Sequence, residues 1–196
     1  MKIKYYGNSC FLLKTKKAKL VTNPKNAGAK INLKRVKPDI VLLTHGNKVS
    51  ENNHYIINTP GEYEVKEILV YGYVSNNKGS QINADIYMID VEGITLGFID
   101  GEVASVKGNI LDEMGIVNIL FVSLADNLKM KLSKLTDLVN KIDPQIVIPM
   151  DYSKEVLTKF TNSLGVKGFD KESSLIVKSS DFEGEDIPIN IVVIEK

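Results

Sequence analysis

Residues 39–46 read DIVLLTHG, an apolar run that ends at His45. A continuous apolar run of this length is typical of a strand that is covered on both faces. Two later runs, at 116–124 and 145–150, have the same character, and a helical pattern follows each of them. Strands that alternate with helices in this way favour a layered α/β fold.

Shorter strand patterns fill most of the first half of the chain, separated by turn signals such as Gly7-Asn8 and Glu92-Gly93. The predicted strands of this half, besides 39–44, are Lys2–Tyr6, Cys10–Thr15, Lys19–Thr22, Tyr55–Asn58, Val65–Val74, Ala84–Val91 and Ile94–Ile99. Two closing strands are predicted at Ser174–Lys178 and Ile189–Ile194.

Helical patterns are confined to the second half. Apolar residues at three- and four-residue spacing predict a helix from Leu132 to Ile142, which Asp143-Pro144 ends. A second helix begins after Ser153, a suitable N-cap, and ends at Gly165. We therefore expect residues 1–196 to form a single domain, an α/β sandwich of two mixed sheets flanked by helices.

The composition indicates a folded cytoplasmic protein. It is 43% hydrophobic and 25% charged, which excludes disorder for most of the chain. No stretch approaches the roughly 18 apolar residues of a membrane span, and residues 1–13 lack the features of a signal peptide. The single cysteine, Cys10, excludes an internal disulfide and fits a reducing compartment.

The charge is distributed unevenly, because no acidic residue precedes Asp39 while that segment carries 11 basic ones. A net charge of +1 overall leaves −10 for the remainder. Such asymmetry can mark an anionic partner, although a solvated strand face is the simpler interpretation. Arg35 is the only arginine and no nucleic-acid-binding motif is present, so we do not expect nucleic acid as the partner.

Polar residues follow the buried strands where ligands bind in layered α/β proteins. They are His45, Asp100, Ser123, Asp126 and Asp151. An imidazole and two carboxylates at separate strand ends could form a small metal site or an acid/base pair. Turn and helix capping is the simpler role for each aspartate.

Six segments of the chain resemble a known family, and the most specific are VLLTHG at 41–46 and PGEYEV at 60–65. The family is the metallo-β-lactamase superfamily, in particular its small stand-alone branch of metal-dependent hydrolases that includes the ascorbate-phosphate lactonase type. The resemblance implies an αββα sandwich of two similar halves, with a metal site on the edge between the sheets. The matching segments are Lys2–Leu13, Leu20–Pro24, Asp39–Gly46, Thr59–Val65, Ile86–Asp100 and Gln145–Tyr152.

Most ligand positions implied by this resemblance hold other residues. The family motif HxHxDH begins at His45, so its remaining ligands fall on Asn47, Val49 and Ser50. No histidine occurs at 75–78, where a further ligand is expected. The motif's aspartate, which accepts the proton of the attacking water in the family, is thereby lost.

Three further positions of the family's motifs are also changed. Asn8 replaces a histidine of the family's opening motif, Asn23 replaces an aspartate, and Asp151 replaces a late histidine. Asp100 matches the aspartate that bridges two metals in the family. We refer to the six residues of this implied site as the cleft residues: Asn8, Asn23, His45, Asn47, Asp100 and Asp151.

This donor set suits zinc poorly, because a dinuclear zinc hydrolase needs several neutral imidazoles to lower the pKa of bound water to about 7. We therefore predict a pseudoenzyme with an eroded metal site and no cofactor. It would be a binding or scaffold module for a small molecule or protein, and a homo-oligomer is one possible assembly. The alternative is a metal-dependent hydrolase of esters, lactones or phosphodiesters. That enzyme would hold one divalent ion, Mn, Mg or Zn, on His45, Asp100 and Asp151.

Other chemistry has less support in the sequence. Cys10 lies in a predicted strand, where a small buried hydrophobe is the common role. Glu62 and Glu64 share one face of a strand and could form an acid pair, although a solvent face is the commoner setting. His54 lies too far along its loop to replace a lost ligand.

Overall fold

Two mixed β-sheets stack face to face, and helices lie on the outer sides of both. The computed structural model describes residues 1–25, 30–44, 49, 53–75, 83–101, 103–126, 128–184 and 187–195. The predicted α/β sandwich of two mixed sheets flanked by helices is confirmed.

The first sheet has six described strands in the order β13-β1-β2-β3-β4-β5. Strands β1, β2 and β3 form an antiparallel meander, and β4 and β5 then pair in parallel. The strands are β1 (Lys2–Gly7), β2 (Cys10–Lys14), β3 (Lys19–Thr22), β4 (Ile40–Leu42), β5 (Tyr55–Ile57) and β13 (Leu175–Ile176).

The second sheet has eight described strands in the order β12-β14-β11-β10-β9-β8-β7-β6. Its centre, from β9 to β14, is parallel, and the hairpins at its β6 end are antiparallel. The strands are β6 (Gly61–Val65), β7 (Ile68–Tyr73), β8 (Ile86–Val91), β9 (Ile94–Ile99), β10 (Ile119–Ser123), β11 (Ile146–Met150), β12 (Asp170–Glu172) and β14 (Asn190–Ile194).

Four helices and one 3₁₀ turn connect these strands in the described part of the chain: α1 (Leu33–Val36), α2 (Gly108–Met114), α3 (Leu132–Ile142), α4 (Lys154–Ser163) and the 3₁₀ turn Ser179–Phe182. None of the described helices is long and apolar enough to cross a membrane.

The core has two layers because side chains alternate across each strand. Phe121 of β10 faces the first sheet and packs edge-on against Phe11 of β2, with ring centroids 4.8 Å apart. Its neighbours Leu120 and Val122 face the other way, into the cluster formed with α2, α3 and α4. Both faces of the second sheet are therefore apolar, which explains the continuous hydrophobic runs of β10 and β11.

The helix boundaries follow the predicted signals closely. Helix α3 ends at Asp143, which adopts a left-handed conformation (φ 52°) directly before Pro144. Helix α4 begins after Ser153, whose hydroxyl accepts a hydrogen bond from the backbone N–H of Val156 at 3.3 Å. The first cap fixes where the chain turns from α3 towards β11, and the second fixes where it leaves β11 for α4.

One predicted strand is wrong. The sequence predicts a single strand over Val65–Val74, whereas β6 and β7 form a hairpin that turns at Lys66 and Glu67. Both residues have positive φ, 52° and 63°, as a two-residue hairpin turn requires. The usual Asn-Gly or Asp-Gly signal is absent, so the pattern gives no warning of the turn. Helices α1 and α2 and strand β12 were also not predicted; each has at most seven residues.

Candidate functional site

The candidate site lies where the carboxyl ends of β3, β4 and β9 meet at one edge of the sandwich. Asn23 follows β3, Thr44 comes two residues after β4, and Asp100 directly follows β9. Parallel pairing of β3 with β4 brings the first two positions side by side. Polar side chains therefore gather at these strand ends, as they do in other layered α/β proteins.

Asn23 is the centre of a buried hydrogen-bond network. Its side chain is fully buried, and its Nδ2 donates to Ser9 Oγ at 3.1 Å and to Thr44 Oγ1 at 2.9 Å. Its Oδ1 accepts the backbone N–H of Thr44 at 2.9 Å. The amide thus makes three hydrogen bonds inside the protein, which is what a buried amide needs to offset its desolvation.

Thr44 continues the network into the second sheet, because its hydroxyl donates to Oδ2 of Asp100. We call these four residues, Ser9, Asn23, Thr44 and Asp100, the Asn23 network. It connects the β1–β2 turn, the ends of β3 and β4, and the end of β9. The network therefore joins the two sheets at the edge where the cleft residues were expected.

A buried carboxylate, that of Asp85, lies next to the backbone of Asp100. The backbone N–H of Asp100 donates to the carbonyl of Asp85 at 3.2 Å. The Asp85 carboxylate accepts two hydrogen bonds from Ser75, from its N–H at 2.8 Å and its Oγ at 2.5 Å. Sequence reasoning missed Asp85; the signal that could have found it is a lone carboxylate directly before the apolar strand β8.

Asp151 and Asn8 meet at the hydroxyl of Tyr5. Burial raises the pKa of Tyr5 well above its ordinary value, and the negative charge of Asp151 raises it further. Backbone groups of Asp151 and Asn8 form hydrogen bonds to the Tyr5 oxygen and partly offset this effect. Tyr5 therefore stays a neutral phenol, and it holds the end of β11 beside the β1–β2 turn.

Three of the cleft residues share an unusual backbone conformation. Asn8, Asn23 and Asp151 all lie in the left-handed region, with φ of 52°, 40° and 55°. Among residues other than glycine, Asn and Asp adopt this region most readily. Residues other than glycine that have a left-handed backbone conformation tend to occur at functional sites. The backbone thus favours the short polar residues found at these positions.

Comparison with known proteins identifies the family. A sequence model described as the beta-lactamase superfamily domain matches residues 2–151. The chain belongs to the metallo-β-lactamase superfamily. The curated proteins contain no match to it.

Solved structures with the superfamily fold cover the whole chain. A candidate Zn-dependent hydrolase of the metallo-β-lactamase superfamily from Thermotoga maritima has 20% identity and a TM-score of 0.77, with all of both chains covered. An isothiocyanate hydrolase from Delia radicum gut bacteria has 12% identity and a TM-score of 0.61, with 98% of this chain and 96% of that chain covered.

A third neighbour carries a different metal. It is CmlA, a diiron β-hydroxylase from Streptomyces venezuelae, with 10% identity, a TM-score of 0.59, and 99% of this chain and 52% of that chain covered. At these identities the likeness to all three structures shows the fold alone.

The structure places the four described cleft residues in two groups. Asn23 and Asp100 belong to the Asn23 network, whereas Asn8 and Asp151 meet at Tyr5. His45 and Asn47 lie outside the described residues, as does Ser50 of the superfamily motif. Their membership of the site stays a prediction.

The described cleft residues offer oxygen donors and no imidazole. Within the described ranges, no group of three or more His, Cys, Asp or Glu side chains is arranged to hold a metal ion. The cleft residues of this part supply amides at Asn8 and Asn23 and carboxylates at Asp100 and Asp151. Amide and carboxylate oxygens suit Mg²⁺ or Mn²⁺ better than they suit Zn²⁺.

Cys10, the pair Glu62 and Glu64, and His54 are the remaining sequence candidates. Cys10 is fully buried in β2, and burial raises the pKa of its thiol to about 12. Glu62 and Glu64 are exposed on β6, as the solvent-face interpretation predicts. His54 is half-buried, and in the described part of the chain its Nε2 has no hydrogen-bond partner.

Proposed function

We propose that this chain is a non-catalytic binding or scaffold module built on the metallo-β-lactamase fold, with the superfamily metal site eroded. The observation that carries the proposal is the Asn23 network, in which an uncharged amide and a hydroxyl occupy the carboxyl ends of β3 and β4. These groups bind one another and Asp100. The network supports a site held together by hydrogen bonds.

The identity of residue 23 is the main support for an eroded metal site. The superfamily resemblance implies an aspartate at this position, which would add a negative charge to the ends of β3 and β4. The amide of Asn23 has no charge, and its Oδ1 accepts the N–H of Thr44 at 2.9 Å. Its other atom is the donor Nδ2, which cannot bind a cation. Asn23 thus acts as a structural link between strands.

Asp100 is also engaged in the network. Its Oδ2 accepts the hydroxyl hydrogen of Thr44, so this oxygen points to a neutral donor on the neighbouring strand end. Hydrolysis in metal-dependent enzymes depends on a cation that lowers the pKa of bound water to about 7. The described donor set favours binding without that chemistry, and we propose a small molecule or a protein segment as the occupant of the edge. A second copy of this chain is one such protein.

A second function is favoured by a specific observation. Asn8, Asn23 and Asp151 keep a left-handed backbone at three strand ends or turns, which is the kind of strained framework found around functional sites. If His45 completes a set with Asp100 and Asp151, one Mn²⁺, Mg²⁺ or Zn²⁺ would serve a reduced mononuclear hydrolase. The superfamily neighbours named as hydrolases are in keeping with this alternative.

A hydrolysis screen separates the two functions. Purified protein is assayed with ester, lactone and phosphodiester substrates in the presence of each divalent ion, beside Asp100→Asn. This variant keeps an oxygen that can accept from Thr44, so we expect it to fold. Asp126→Asn, at an exposed position, is the matched control. The proposal expects no metal-dependent turnover in any of the three; turnover that is lost only in Asp100→Asn would overturn it and establish the hydrolase.

A further inference from the structure

The outer face of the first sheet carries a basic cavity of about 600 Å³, on the side away from the second sheet. Alternation along β1 directs Ile3 into the core between the sheets, and Lys2, Lys4 and Tyr6 to the outside. Six cationic side chains line the cavity: Lys2, Lys4, Lys14, Lys19, Lys30 and Arg35. Arg35 comes from α1, which lies over this face.

Three of these lysines form a row across adjacent strands. Lys2 of β1 pairs directly with Lys14 of β2, and Lys14 pairs directly with Lys19 of β3. Neighbouring strands are about 4.8 Å apart, so three ammonium-bearing side chains leave the sheet from consecutive positions. Like charges placed directly opposite each other destabilise a sheet. The fold therefore carries a local cost that an anion would remove.

No carboxylate is among the described residues that line the cavity. Asp39, the acidic group beside Lys19, already accepts from Lys66 Nζ at 2.5 Å and from the backbone N–H of Lys19 at 2.8 Å. Lys19 Nζ donates to the carbonyl of Val36 at 2.9 Å. Among the described residues, no carboxylate forms an ion pair with a cationic side chain of the cavity.

We propose that this cavity binds a small ligand that carries at least two phosphate groups. Its volume lies within the range of roughly 300–1,000 Å³ that is usual for small-molecule sites. Lysine binds phosphate as a point charge, and six cations match the several negative charges of an oligophosphate. Tyr6 and Leu12 add an apolar wall that an organic group can contact. The cavity is distinct from the edge that holds the Asn23 network.

The experiment is calorimetric titration of the full-length protein with inorganic tripolyphosphate and with ATP, both without divalent metal. The test variant is Lys4→Gln/Lys14→Gln, at two exposed positions of the cavity. The matched control, Lys141→Gln/Lys154→Gln, removes the same charge from exposed positions on α3 and α4. A further variant, Lys4→Arg/Lys14→Arg, keeps the positive charge.

Tripolyphosphate and ATP both bind the wild type, and binding weakens as salt screens the charges. The Gln/Gln variant loses about tenfold in affinity, which corresponds to about 1.4 kcal/mol. The control and the Arg/Arg variant stay within about twofold of wild type. Tighter binding of ATP than of tripolyphosphate indicates that the adenine ring contacts Tyr6 and Leu12. Equal affinities indicate that the cavity recognises phosphate alone. Both results support the proposal.

Three results would overturn it. The first is the absence of heat with both ligands. The second is an equal loss of affinity in the test and control variants, because the effect would then reflect net charge rather than the cavity. The third is much tighter binding of a single-stranded oligonucleotide than of tripolyphosphate at the same phosphate concentration. The surface would then be a nucleic-acid site.

Discussion

Asn23 and Thr44 are joined by two reciprocal hydrogen bonds, each 2.9 Å long. The Asn23 amide donates to the Thr44 hydroxyl, and its carbonyl accepts the Thr44 backbone N–H. The pair connects the ends of two parallel strands and passes one further hydrogen bond to Asp100 in the other sheet. A residue at a position where the superfamily resemblance implies an aspartate thus stabilises the junction of the two sheets.

Replacing Asn23 with aspartate should destabilise the protein. Asn23→Asp exchanges the buried donor Nδ2 for an acceptor and adds a negative charge to the network that contains Asp100. Leaving buried polar groups unpaired costs about 1–3 kcal/mol each, and more for charged groups, so we expect a loss of about 3 kcal/mol. The measurement is denaturant unfolding near neutral pH. Asn109→Asp, at an exposed position of α2, should stay within about 0.5 kcal/mol of wild type.

The loss in Asn23→Asp should also depend on pH. Burial and the nearby carboxylate raise the pKa of the introduced Asp, so its destabilising effect is complete at neutral pH and shrinks as the pH falls through that raised pKa. The unfolding free energies of variant and wild type should therefore converge under acidic conditions. An Asn23→Asp protein as stable as wild type at neutral pH would mean that a cation already compensates the site, against the proposed function.

The thiol of Cys10 should be unreactive in the folded protein. It is fully buried, and burial raises the pKa to about 12, so almost no thiolate exists at about pH 8. A colorimetric thiol reagent should detect no free thiol in the native state and one equivalent per chain after denaturation. Full and rapid reaction without denaturant would show that β2 opens at this position.

Asp39 should contribute stability that acid removes. Burial alone would raise its pKa, but hydrogen bonds from Lys66 and from the backbone N–H of Lys19 outweigh that effect, so the pKa is lowered. The pKa in the unfolded chain is about 3.9, so this stabilisation is present above that value and is lost as pH falls through the lower folded-state pKa. Denaturant unfolding across this acidic range measures the loss.

The matched variants isolate the Asp39 contribution. Asp39→Asn should lose less stability than wild type on acidification, because it has no carboxylate to protonate. Asp137→Asn, at an exposed position of α3, should follow the wild-type curve. If Asp39→Asn and wild type lose stability in parallel, the contacts of Asp39 with Lys66 and Lys19 do not stabilise the folded state.

The sandwich was predictable because its core strands correspond to hydrophobic segments of the sequence. The mostly apolar segments 39–44, 116–124 and 145–150 contain β4, β10 and β11, and in the second sheet both faces are apolar. Helices α3 and α4 were predictable because Pro144 and Ser153 are strong local signals. The turn at Lys66 and Glu67 was not, because neither residue type marks a left-handed turn.

The cleft residues stay a prediction, and most of the contacts at the candidate edge could not be predicted from the sequence. The strand-end rule located Asp100 and Asp151, and the resemblance located Asn8 and Asn23. The roles of Ser9 and Thr44 and the buried Asp85–Ser75 pair depend on side chains from distant segments that meet only in the folded protein. Hydroxyls are too common in sequence for such partners to be recognised without the tertiary structure.

The measurement that tests the proposed function most directly is the metal content of the protein by elemental mass spectrometry. The protein is purified without chelator or affinity metal, dialysed against Zn²⁺, Mn²⁺ and Mg²⁺ in turn, and compared with His45→Ala. An eroded site predicts less than stoichiometric metal in both proteins under every condition. About one equivalent in the wild type that is lost in His45→Ala would contradict it, and would show that His45 anchors a working metal site.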